Sequence, residues 1–311
     1  MNPKLRVLAA ARHGWFTRAD AATAGYSDSE LRRRLRSGQW SRLSRDAYVE
    51  PAEWPATEEP WEKARRLHLL KIRAAVERMG DGAVISHQSA AVLHGLPTWG
   101  LDLTKVQLTK PAGRARSDLL ANVHRSRFAP GEITVVDGLR VVTPARAIVE
   151  AACTSSYEAG VVLADAALHA NLVTTDALIT TADRYRFWHG SPAARAAVRF
   201  ADGLSESVGE SRLRVLMANQ GLPKPRLQVE IRDENGRLIA RVDFLLGTRL
   251  IVEFDGAIKY GALKYGAATD AVLAEKWRED RLRARGYHVV RTGWADFKQP
   301  EATAHRIRYA L

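Results

Sequence analysis

At 311 residues the chain exceeds what one small core usually accommodates, and 46% hydrophobic with 26% charged residues is the balance of a folded multidomain protein, not of a disordered one. No run nears the ~18 apolar residues of a membrane helix and Met1-Asn2-Pro3-Lys4-Leu5-Arg6 opens no signal-peptide core, so a cytoplasmic protein without membrane association is expected; the lone Cys153 excludes an internal disulfide and a multi-thiolate zinc site. The formal net charge of +12 points to a polyanionic partner, and the first 50 residues concentrate it, with ten basic against five acidic side chains.

Leu5 to Arg12 reads as a helix stopped by Gly14. Thr17-Arg18-Ala19-Asp20 is a capping box that opens a second helix ending at Gly25, and Ser27-Asp28-Ser29-Glu30 is another that launches Leu31 to Arg36, stopped by Gly38. Trp40 to Leu43 and Ala47 to Val49 then read as the strands of a hairpin, the wing of a winged helix-turn-helix over residues 1–55. In such a module the second helix of the turn enters the major groove and the wing rests on phosphate. Ser27, Ser29, Arg32 and Arg33 are therefore expected at base edges, and Arg36, Arg42 and Arg45 at phosphates, with double-stranded DNA as partner. Trp15, Leu31, Leu35 and Trp40 read as core.

The prolines of Pro51 to Pro60 mark a linker, after which residues 61–199 read as an α+β domain. A helix covers 61–79 and another Ser86 to Leu93; Lys105 to Thr109 and Leu139 to Val142 are strands; Thr143-Pro144 starts a long alanine-rich helix. His87 and His94 share a helical face, but without a third ligand they are assigned packing and no chemistry. The run Gly14 to Ala21 through Tyr48-Val49, the segment Ile85-Ser86-His87-Gln88-Ser89-Ala90-Ala91-Val92-Leu93-His94-Gly95-Leu96-Pro97 and Thr143-Pro144-Ala145-Arg146 resemble the AbiEi antitoxins of type IV toxin–antitoxin systems. The resemblance implies sequence-specific DNA binding, transcriptional repression and a nucleotidyltransferase-like toxin as partner.

From Ser205 the pattern changes to a helix, strands at Leu227 to Ile231, Leu238 to Leu245 and Arg249 to Phe254, and an Asn235-Gly236 hairpin turn. The last two strands carry Asp243, Glu253 and Asp255 among aliphatic residues, where an acid is costly unless paired or bound to a cation. Period-two alternation puts Glu253 and Asp255 on one face, with Asp243 beside them on the neighbouring strand, a hard-oxygen set suited to Mg²⁺ or Mn²⁺. Lys259 follows closely enough to neutralise charge on a phosphate. Together with Glu210 on the leading helix and the helix-to-strand unit from Arg278 to Arg291, these residues resemble the PD-(D/E)XK nucleases, and among them the Vsr-like endonucleases, over residues 203–311. The resemblance implies a restriction-endonuclease-like α/β sandwich that hydrolyses DNA, with Asp243, Glu253, Glu210 and Lys259 in catalysis and Asp243, Glu253 and Asp255 on the metal. The signature lysine belongs two residues after the acid, where Asp255 stands. Glu210 also completes a capping box with Ser207, and Arg278, Arg281, Arg283 and Arg285 read as a mixed face, mostly solvated, from which an arginine could contact substrate phosphate. The expectation is an α+β multidomain DNA-binding protein with a nuclease-like C-terminal domain, the alternative being a non-catalytic AbiEi-type repressor.

Overall fold

The computed structural model describes residues 1–51, 59–80, 82–256 and 269–311, apart from the side chains of 269–275. It falls into two compact units, Met1–Gly160 with Asp176–Ala196, and Val161–Thr175 with Ala197–Leu311.

The first unit opens with α1 (Pro3–Ala11), β1 (Trp15–Phe16), α2 (Arg18–Thr23), α3 (Asp28–Arg36), β2 (Ser41–Ser44) and β3 (Ala47–Val49). Both capping boxes form: Thr17 accepts from Asp20 N–H and Ser27 from Glu30 N–H, while each acid's side chain accepts from the backbone N–H of its cap residue. The sheet order is β1-β3-β2, the three-stranded sheet of a winged helix, and β1 is the element the sequence hid, because two residues are too short to show alternation. Leu5, Phe16, Leu31, Trp40 and Tyr48 fill the core, with Trp40 edge-on to Phe16 at 4.7 Å between centroids. Trp15 belongs to a second cluster, in which Leu43 and Val49 of the winged sheet meet Leu70 and Ala74 of α4 (Pro60–Met79).

Next in the same unit is a six-stranded mixed sheet, β4 (Val84–Ile85), β5 (Val106–Lys110), β6 (Arg116–Ser117), β7 (Ala121–Arg125), β8 (Ile133–Val136) and β9 (Leu139–Val142), in the order β6-β7-β5-β4-β9-β8. Ile72, Ile85, Leu108 and Val141 centre its core, and α5 (His87–Leu93) and α6 (Pro144–Thr154) adjoin it. The long helix expected from Pro144 is broken: α6 stops at Thr154, Ser155 is extended, and α7 (Tyr157–His169), α8 (Thr175–Arg184) and α9 (Ser191–Phe200) follow.

Arg146, fully buried, holds this unit's charges together. Its guanidinium donates to Glu150 at 2.8 Å, to Glu132, to the Arg127 carbonyl and to Ser126, and lies 4.6 Å from the Phe128 ring centroid and 5.0 Å from that of Tyr185. Glu132 also accepts from the Tyr185 hydroxyl at 2.6 Å and from Arg184, and Glu150 from the His87 backbone N–H. Burial pushes down the pKa of His68 to about 4, of His87 to about 3 and of His124 to about 4, with the Arg146 charge adding to the effect at His87. His87 stacks on His124 at 3.9 Å, and neither it nor His94, bonded to the Val142 carbonyl, sits in a metal-binding group among the described residues.

The second unit contains α10 (Val208–Asn219), β10 (Arg226–Arg232), β11 (Leu238–Leu246), β12 (Leu250–Phe254), α11 (Thr269–Arg283), β13 (His288–Thr292), a 3-10 turn Trp294–Lys298 and α12 (Pro300–Tyr309). Three antiparallel strands are joined by a fourth, β13, parallel to β12. Leu213, Met217, Ala304 and Ile307 of α10 and α12 pack with Phe244, Leu246 and Val252, while Leu282 of α11 packs with Val242, Leu245 and Ile251. The result is a helix-sheet-helix sandwich. Arg214 donates to Asp165 at 2.7 Å and to the Phe200 carbonyl, tying α10 to the α7 segment within this unit.

Arg146→Met leaves Glu132 and Glu150 without their shared cation, and should cost about 3–5 kcal/mol in denaturant unfolding; a loss under 1 kcal/mol would contradict the role given to Arg146. The buried histidines add a pH dependence. Their folded pKa values lie below the ordinary ~6.5, so on acidification the unfolded chain takes up protons that the folded one refuses. Stability should be full above pH ~6.5 and fall toward pH ~4, and His68→Gln should flatten the fall measured by thermal melts.

Candidate nucleic-acid interface and acidic cleft

Ser29, Arg32, Arg33 and Arg36 recur at i, i+3, i+4 and i+7, which places them along one stripe of α3. All four are exposed, and the opposite side buries Leu31. Ser27, also exposed, shares a 2.8 Å hydrogen bond with Ser29 at the helix start, so the seven side chains expected at DNA, with Arg42 and Arg45 on the wing, all reach solvent. Arg33 lies near enough to Glu30 for its charge to help hold that carboxylate's pKa down, after the Ser27 hydrogen bonds. Arg34 is different: its guanidinium lies 5.1 Å from the ring centroids of both Tyr26 and Trp40, so the middle of the arginine run holds the core while its neighbours face outward.

Arg42 and Arg45 line a groove of about 840 Å³ with Thr17, Arg18 and Arg78. Arg18, the first residue of α2, escaped the sequence reading although the Thr17 capping box marked the spot. The Arg18 side chain is exposed and lies 3.7 Å from Asp28, while its backbone N–H is donated to Asp46.

In the second unit Asp243, Glu253 and Asp255 line one cleft of about 430 Å³ with Arg241, Gly256, Arg278 and Arg291. The β11–β12 register runs Leu246↔Leu250 to Phe244↔Val252, and the pairing stops just where Asp243 and Glu253 come opposite each other. Asp243 accepts the Phe254 N–H at 2.8 Å. On its other flank the β10–β11 pairing steps from Leu227↔Phe244 to Val229↔Val242, passing over Gln228, whose φ of +50° is a strained left-handed conformation. Gln228 donates its amide to Glu210 at 3.0 Å, a contact no sequence pattern announces. Gly209 lets α10 approach closely enough to bring Glu210 here, since a Cβ at that position would lie 1.9 Å from the Phe254 ring.

Burial, with Glu210 and Glu253 nearby, pushes Asp243 up to about 6. Ser207 caps α10 by accepting the Glu210 N–H, but the expected box is not completed, because the Glu210 carboxylate accepts the Glu206 N–H and the Ser207 hydroxyl in place of the Ser207 N–H. Within the mixed face of arginines, Arg278 is not among the solvated ones: it grips both Glu253 oxygens at 2.9 Å, with Arg291 3.9 Å away. Lys259 lies outside the described residues. As the side chains stand, no three acids, histidines or cysteines among the described residues are grouped to hold a metal ion. The donor types in the cleft still suit a hard divalent cation, because Asp243 is a half-buried carboxylate crowded by like charges, and the position of Arg278 shows where positive charge is drawn.

Asp243→Asn keeps an acceptor for the Phe254 N–H and removes the crowded charge. With the folded pKa raised above the unfolded value, the burden of Asp243 is absent below pH ~4 and grows as pH rises through ~6. The variant should therefore gain about 1–3 kcal/mol at pH 8 and nothing at pH 4; an equal or smaller gain at pH 8 would refute the crowding.

Residues 4–51 match the model of a family described as a transcriptional regulator, AbiEi antitoxin, in agreement with the winged helix found there. Over 212 residues the chain is 29% identical to uncharacterized protein Rv2248 of Mycobacterium tuberculosis (strain ATCC 25618 / H37Rv) and to uncharacterized protein MT2308 of the same species (strain CDC 1551 / Oshkosh), a match covering 68% of this chain and 74% of each relative. No helix among the described residues is long and apolar enough to cross a membrane. The N-terminal segment thus matches an AbiEi-type transcriptional-regulator domain.

Proposed function

We propose that the protein binds double-stranded DNA through its winged helix and acts as an AbiEi-type transcriptional regulator. The observation that carries this reading is the exposed Ser29-Arg32-Arg33-Arg36 stripe, backed by the apolar face that fixes its orientation. Arginine reads guanine edges by paired hydrogen bonds, and the wing arginines hold the backbone. By the same family likeness the expected protein partner is a nucleotidyltransferase-like toxin, with this chain as its antitoxin.

A second reading is favoured by the cleft. The order α10, three antiparallel strands, α11 and a parallel fourth strand, with Asp243 and Glu253 brought opposite each other where the ladder ends, supports a Vsr-like PD-(D/E)XK endonuclease domain that the winged helix would direct. Asp243, Glu253 and Asp255 would hold Mg²⁺ or Mn²⁺, with Glu210 behind them. Such an ion supplies charge neutralisation at the phosphate and a more acidic water. Hydrolysis then adds the water oxygen to phosphorus, breaks the bond to the leaving sugar oxygen and delivers a proton to that oxygen. The protein's own part is to hold the acids together at the end of the strand ladder. Lys259 remains the proposed stabiliser of phosphate charge from beyond the described residues.

Duplex binding measured by fluorescence anisotropy tests the first reading. Arg32→Ala or Arg33→Ala should weaken binding to a selected site by about 10–100-fold, whereas Arg42→Ala or Arg45→Ala should weaken all sequences alike and lower the salt slope by about one each. Affinities unchanged by all four would overturn it. Incubation of supercoiled plasmid with Mg²⁺ tests the second: cleavage that Asp243→Ala and Glu253→Ala both abolish is expected, and intact plasmid across plain, methylated and mismatched DNA would leave the regulator alone.

A further inference from the structure

The cleft has its acids, but the place two residues after Glu253, where a PD-(D/E)XK site keeps its lysine, is taken by Asp255. A phosphodiester entering this cleft adds negative charge beside Asp243, Glu253 and Asp255, so the described walls must offer a cation in addition to Lys259. Three arginines line the same walls. Arg241 is engaged by Glu206 at 2.8 Å, with its charge also acting on Asp243, and Arg291 is engaged by Glu279 at 3.0 Å, with a longer 3.9 Å ion pair to Glu253. Arg278 alone makes its paired hydrogen bonds to an acid of the set, Glu253. It is anchored on α11, whose Leu282 is buried against the sheet, so the guanidinium is presented from a helix docked on the same face.

Building on the nuclease reading, we propose that Arg278 is the site's own phosphate-binding cation: it neutralises Glu253 in the resting protein and moves to the phosphate when DNA and a divalent ion arrive. A guanidinium suits both duties, because its five N–H donors match carboxylate and phosphate oxygens in the same forked geometry. Arg278 then competes with the ion for Glu253 and cooperates with it in holding the substrate. These two consequences have opposite signs, which separates the proposal from a purely structural role for the ion pair.

The test uses the full chain as wild type, Arg278→Met, Arg278→Lys and Asp243→Ala, each checked by thermal melting. Mn²⁺ binding is followed by electron paramagnetic resonance without DNA, and plasmid cleavage with Mn²⁺. Arg278→Met should bind Mn²⁺ about 3-fold or more tighter, because the competitor for Glu253 is gone, while cleaving at least ~100-fold more slowly. Arg278→Lys should fall between wild type and Arg278→Met in both measurements, keeping the charge but losing the fork. Cleavage by Arg278→Met at the wild-type rate overturns the proposal and leaves the nuclease reading standing. Weaker Mn²⁺ binding together with a lower melting temperature in both Arg278 variants reduces the residue to a structural clamp. A wild type that neither cleaves nor loses cleavage with Asp243→Ala overturns the nuclease reading, and the role of Arg278 falls with it.

Discussion

A carboxylate withdrawn from water costs several kcal/mol unless a cation or several donors meet it, and the interior of this protein is arranged around that constraint. In the first unit one guanidinium, Arg146, serves Glu132 and Glu150 together and is itself enclosed by aromatic rings. In the second, Arg214 answers Asp165. Asp243 and Glu210 differ: among the described residues they accept hydrogen bonds from N–H, hydroxyl and amide donors, and the Arg241 charge acts on both from a distance.

The same logic organises the winged helix in reverse. There the excess is positive, and burial again divides identical residues by task. Arg34 is spent on the rings of Tyr26 and Trp40, fixing the rotation of α3, and that rotation aims Arg32, Arg33 and Arg36 outward. A core contact thereby determines which arginines can meet DNA. The packing of Leu43 and Val49 against Leu70 and Ala74 extends the argument, since it anchors the wing's sheet on α4 within the first unit.

Much of this was legible in the residues because the signals were local. The capping boxes at Thr17 and Ser27 announce helix starts through hydrogen bonds spanning three residues, and Asn235-Gly236 announces a turn through the φ of one glycine. Asp243 and Glu253 stood out because acids among aliphatics contradict strand composition. What escaped depended on pairings distant in sequence. The two residues of β1 become a strand only beside β3, while the break of the alanine-rich stretch at Ser155 had a local mark that was passed over, Ser156, whose hydroxyl accepts the Ala159 N–H and opens α7. Gln228 owes its conformation to a neighbour eighteen residues earlier in the chain, Glu210. Arg278 looked like part of a charged face because nothing local records that Glu253, 25 residues away, turns toward it.

The central claim is that α3 reads base sequence in the major groove. The most direct measurement is selection of binding sites from a random-sequence duplex pool by the purified full-length protein at physiological salt. The account predicts enrichment of a short, defined motif containing at least one guanine step, where paired arginine contacts discriminate most strongly. Retention of DNA without any enriched sequence would show that the basic charge serves only as a nonspecific polyanion surface, and would contradict it.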